Sequence, residues 1–107
     1  MSDNGEKCIF ISNEALVACQ DLGNSHLAVY VGLKRTRQRV LGYDREMKGK
    51  WFTATHHMIA QRTACGIKTI QRCILGLVEA GLVDVRRVKV REGNGTIRNE
   101  PNMYRLP

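Results

Sequence analysis

Between Ile67 and Ala80 the chain carries Lys68, Thr69, Gln71 and Arg72 on one side of a segment whose apolar residues recur at helical spacing. Ile70, Cys73, Ile74, Leu77 and Val78 form the expected buried stripe, three and four residues apart, with Leu75 further along the polar side. Lysine and arginine can pair with guanine edges or phosphates, and glutamine can hold adenine through two hydrogen bonds. Directly upstream, Ala64-Cys65-Gly66 reads as a tight connection from a preceding helix at about 55–63, with Ile59 and Ala60 on its inner face. Two short helices meet at a steep angle only where the inner contacts are small or apolar. The pattern predicts a helix-turn-helix whose second helix presents its first turn and a half to a major groove. A solvated amphipathic helix in any small α protein shares this periodicity. The tight turn and the strands that follow favour the reading helix.

A second set of cations follows Gly81, which ends that helix. Leu82-Val83 opens a valine-rich strand in which Arg86, Arg87, Lys89 and Arg91 are closely spaced. Glu92-Gly93-Asn94-Gly95 has the composition of a hairpin turn, placing Asn94 and Arg98 at or beyond the tip. Val83 and Val85 share one parity while Val88 and Val90 have the other, which predicts a bulge near Arg86-Arg87. The return strand is expected from 96–98 and 103–106, interrupted around Pro101. Such a basic hairpin suits phosphates or a minor groove. It also suits a charged edge strand that resists aggregation.

Charge and composition narrow the classes. Lys and Arg number 17 against 10 Asp and Glu, a net charge of +7. From Lys34 to Arg91 there are 14 basic and four acidic residues, a local balance of +10 expected on the surface. That excess attracts a polyanion, and by itself fits a solvated face equally well. Cys8, Cys19, Cys65 and Cys73 include no CxxC pair, and Cys65 and Cys73 fall at apolar positions. They read as buried, reduced thiols rather than metal ligands. His56 and His57 are adjacent, so on a helix they point about 100° apart and do not easily share a metal. No phosphate-binding loop, dinucleotide glycine pattern or spaced carboxylate–histidine set is present, so no enzymatic activity, cofactor or small-molecule ligand is expected. No apolar run approaches a membrane span, Met1 to Gly5 does not resemble a secretion signal, and the expected compartment is the cytoplasm.

The remaining elements must hold these two groups in place. Residues 1–8 read as a flexible arm and 9–107 as one domain, with a short strand or extended segment over 7–11. Ser12 or Asn13 can cap a helix over 14–21 that brings Ala15, Leu16 and Ala18 inward. After a turn at Leu22-Gly23-Asn24-Ser25, a second helix over 26–41 turns Leu27, Tyr30, Val31 and Leu33 to the core and stops at Gly42. Residues 43–50 form a charged connector, and Trp51-Phe52 a short strand before Thr53 or Thr55 caps the next helix. The expected class is mainly α with a small β-hairpin (α+β).

Glu79-Ala80-Gly81-Leu82-Val83, following Thr69-Ile70-Gln71-Arg72, resembles the end of the recognition helix in bacterial winged helix-turn-helix proteins. The similarity is to the group found in phage and plasmid replication initiators and mobile-element regulators. It extends over 9–107 through Ile11 to Leu16, Trp51-Phe52 and Asn102 to Leu106. Ala64 stands where the group usually has glycine, Gly66 where it has a Ser or Thr cap, and the Trp51–Ile59 spacing is longer. The resemblance implies double-stranded DNA as partner, bound by a transcriptional regulator, by a replication or partition factor on repeated sites, or not at all in a protein-interaction module. A homodimer would match a two-fold site, with Ile9 to Leu22 as the candidate interface.

Overall fold

The computed structural model describes residues 11–41, 49–91, 93, 95 and 97–107, with backbone alone for 88–91 and 97–100. The arm at 1–8, most of the 7–11 segment, most of the 43–50 connector and Asn94 lie outside the described residues. In chain order the elements are α1 (Asn13–Leu22), α2 (Asn24–Leu41), β1 (Trp51–Thr53), α3 (His56–Ala60), α4 (Ile67–Glu79), β2 (Asp84–Arg91) and β3 (Ile97–Arg105). The architecture is mainly helical with a small antiparallel sheet. No described helix is long and apolar enough to cross a membrane.

Ser12 starts α1 by accepting the Ala15 N–H on its hydroxyl at 3.1 Å. Gly23 ends it at φ +134°, a conformation that disfavours side chains, and donates to the Cys19 carbonyl at 2.9 Å. That one residue is the whole junction. The expected turn at 22–25 is therefore shorter, and α2 begins at Asn24 rather than His26, with the Leu27 N–H bonded back to Gly23 O.

One cluster of buried side chains joins all the layers. Ala15 and Cys19 enter it from α1, Val29, Tyr30 and Leu33 from α2, and Ile59 from α3. Ile70, Cys73, Ile74 and Leu77 enter it from α4, and Phe52, Val83, Tyr104 and Leu106 from the sheet region. Val29 is fully buried while Val31, expected inside, is only half-buried. Burial pushes the Cys19 and Cys73 thiols up, which keeps them protonated, whereas Cys65 is half-buried. Val78, expected in the stripe of α4, lies exposed at its margin.

The sheet order is β1-β3-β2. Phe52 faces Tyr104 across β1 and β3, and Val85 faces the same tyrosine from β2, so one face of the sheet closes the core. The Phe52 and Tyr104 rings are tilted at 40° with centroids 6.0 Å apart. Contrary to expectation, β3 runs without a break through Pro101. Arg86 faces Met103 and Val88 faces Glu100, so Arg87 alone opposes Pro101 and Asn102. A bulge falls near Arg86-Arg87 as expected, but its extra residue is on β3, so β2 gains no residue that would bring its valines to one face. Proline lacks an N–H for the ladder, and a bulge is where a strand tolerates that loss.

Candidate nucleic-acid interface

Two close approaches aim α4. A β-carbon added to Gly32 would lie 2.6 Å from the Thr63 methyl, so α2 meets the α3–α4 connection at its own backbone. At Gly76 an added β-carbon would lie 2.6 Å from His26 Nε2, so α2 also contacts α4. These contacts hold α2 against the connection that leads into α4 and against α4 itself near its C-terminal end.

The connection from α3 is longer than periodicity suggested, running over 61–66. Thr55 caps α3 by accepting the Met58 N–H at 3.1 Å. The regular helix covers only His56–Ala60, because Arg62 and Thr63 donate to carbonyls three residues back, Ile59 and Ala60. Thr63 then accepts the Cys65 N–H on its hydroxyl at 3.3 Å, bracing the turn. No described non-glycine residue has positive φ, so Ala64 takes the usual glycine position without strain. Gly66 is extended at φ −75° and gives α4 no side-chain cap. At the far end Gly81, at φ +77°, lets the Leu82 N–H reach Leu77 O and its own N–H reach Val78 O.

Of the candidate residues on α4, Lys68, Gln71 and Arg72 are exposed on one face and Thr69 is half-buried at its edge. Arg72 also lies beside the Cys73 thiol, where it partly offsets the upward push of burial. The hairpin supplies a second group. Arg86 and Arg87 are exposed near its root, Lys89 and Arg91 continue along β2, and Arg98 pairs with Val90 from β3.

Arg86 and Arg87 are held differently. The Arg86 guanidinium lies over the Trp51 ring, 4.5 Å from its centroid, and Arg105 lies over the same ring at 4.7 Å. Nε and Nη2 of Arg105 donate to one Asp84 oxygen at 2.9 and 2.7 Å. This Asp84–Arg105–Trp51–Arg86 ladder occupies the sheet face turned away from the core. Arg87 shares its parity with Val85, on the face turned toward the helices.

Sequence reasoning missed Arg37. Counted with the surface cations, it is only 8% exposed, and its Nε has no hydrogen-bond partner. Burial pulls its pKa down, opposed by Tyr30. Tyr30, Leu33 and Arg37 follow one helical stripe, and that spacing was the available signal. Arg62 is also engaged locally, donating to Met58 O at 3.3 Å. Among the described residues, the exposed cations are Lys68 and Arg72 on α4, Arg86 and Arg87 on the hairpin, Arg35 and Arg39 on α2, and Lys50 before β1.

No protein-family model matches the chain, and no curated protein does. A solved structure, the N-terminal domain of DNA binding protein, is similar to it in fold, with a TM-score of 0.53 at 16% sequence identity. The superposition covers 95% of this chain and 84% of that one.

Proposed function

We propose that the protein is a winged helix-turn-helix binder of double-stranded DNA, acting as a regulator of transcription on a mobile genetic element. The observation that carries this reading is the exposed triad Lys68, Gln71 and Arg72 on the first two turns of α4. It follows a connection braced by the Thr63 hydroxyl and sits opposite a packed stripe, so the donors are presented on a rigid element. The β2–β3 hairpin is the wing, and Arg86, Arg87, Lys89, Arg91, Asn94 and Arg98 are its contacts to phosphates or the minor groove. The solved neighbour is by its own description part of a DNA binding protein, which supports the same reading. A homodimer on a two-fold site belongs to it, with α1 as the interface, where Val17 stays 54% exposed.

Selection of bound duplexes from random DNA, followed by binding titrations over a salt series, tests this. The expected result is one enriched palindrome, bound with an affinity that falls steeply as salt rises. Tandem repeats would move the protein to replication or partition, and flat, unselective affinity would remove DNA as its partner.

A further inference from the structure

Leu75 is 60% exposed, more than any other described large hydrophobic residue. Its place on α4 is unusual for a stray apolar side chain. At 100° per residue, Leu75 lies about 20° from the direction of Lys68, between Gln71 and Arg72, and about 160° from Leu77 at the centre of the buried stripe. It therefore stands in the middle of the cationic face, where no contact with the core is within reach. Val78, 38% exposed, lies three residues on, beside Leu75 at the margin of that face. Lys68, Gln71, Arg72 and Glu79 surround Leu75 on its other sides.

We propose that Leu75 packs on the C5-methyl group of a thymine in the major groove, so that the bound site requires a pyrimidine 5-methyl at one fixed position. The inference rests on the DNA-binding reading above and adds a base-specific contact to it. The thymine methyl is the apolar feature that the major groove presents among its donors and acceptors. Leu75 lies about 4.5 Å along the helix axis from Arg72, a little over one base-pair step, so its contact falls on a pair beside the one Arg72 reads. Glu79, one turn further on the same face, would meet phosphate oxygens with like charge, which ends the contact surface at Leu75. The major groove supplies acceptors and phosphates for Lys68 and Arg72 together with a methyl group for Leu75.

The test uses the full chain and the duplex obtained by selection. Each thymine in turn is replaced by deoxyuridine, which removes only the methyl and keeps every hydrogen-bonding group. One replacement is expected to weaken binding about fourfold, the scale of one buried methyl group, and to have no effect on Leu75→Ala. Leu75→Ala should keep the circular dichroism and sedimentation of the original chain. If the selected duplex binds and every deoxyuridine duplex binds equally well, the inference is wrong while the DNA-binding reading stands. It is also wrong if Leu75→Ala retains the same deoxyuridine penalty, or if it changes the oligomeric state, which would make a second copy the occupant. If no duplex is selected, both readings fall together.

Discussion

Thr63 packs its methyl against the bare backbone of Gly32 and uses its hydroxyl to hold the Cys65 N–H. One side chain thus ties the long helix α2 to the turn that launches α4. An alanine at Gly32 would gain helix propensity, about 1 kcal/mol, but its β-carbon would meet the methyl at 2.6 Å. Thr63 is β-branched and already bonded on two sides, so it has little room to yield.

Gly32→Ala is accordingly expected to lower stability by about 1–3 kcal/mol in chemical denaturation. Thr63→Ser removes the methyl and keeps the hydroxyl, so the double variant should recover at least half of that loss. A Gly32→Ala chain as stable as the original would show that the helices do not meet there.

Arg72 and Arg87 should separate in binding. Arg72→Ala should cost about 1–3 kcal/mol on the selected duplex and relax preference at one or two base pairs. Arg87→Ala, on the hairpin, should weaken selected and scrambled duplexes alike and lower the salt slope by about one. Competitive titration of both variants measures this. Discrimination kept by the first and lost by the second would move base reading to the hairpin.

His56 gives the fold an acid-sensitive point. Burial, and then the neighbouring His57, hold its imidazole below the ordinary value. The unfolded chain then binds the proton more readily, so stability is complete above about pH 6.5 and declines as pH falls below it. Thermal melts between pH 7.5 and 5.5 should show Tm falling toward acid, with a smaller fall in His56→Gln. An equal fall in both would place the acid sensitivity elsewhere.

Trp51 is the single tryptophan, so its emission reports the ladder on the outer sheet face. Arg86→Ala should uncover one side of the ring and shift its fluorescence to longer wavelength without loss of helix signal. Arg105→Ala should shift it as well and also free Asp84. Unchanged spectra in both variants would mean that the guanidinium groups do not cover the indole.

Much of α4 was legible in the sequence because its pattern is strong and its ends have local causes. Gly81 is left-handed at the stop, and Ile70, Cys73, Ile74 and Leu77 keep the stripe. The hairpin bulge lies near Arg86-Arg87 as expected, but its extra residue is on β3 beside Pro101, so the valine parity of β2 was not its cause and the pairing alone reveals it. Arg37 was misread because charge says surface, while its position one turn past Leu33 says core, and tertiary packing decided for the core. The junction at Gly23 and the shortened α3 were hidden for a related reason. Both are set by a few local backbone hydrogen bonds that leave no periodic trace. On the candidate interface, Lys68, Gln71 and Arg72 could be read from spacing. The stacking of Arg86 on Trp51 could not, since the two residues share a sheet face only after β3 has come between their strands.

That intervening strand has a temporal consequence. β1 pairs at Trp51 with Arg105 and is anchored further by Gly49 donating to Leu106 O, partners that follow it only after every helix has been made. During synthesis the helices emerge first, and Phe52 waits with an open edge beside it. β2 and β3 can pair locally as a hairpin, but β1 gains its partner only when that late hairpin docks on it. Until that docking happens, β1 is the segment with an unpaired edge, open to a chaperone or a second nascent chain.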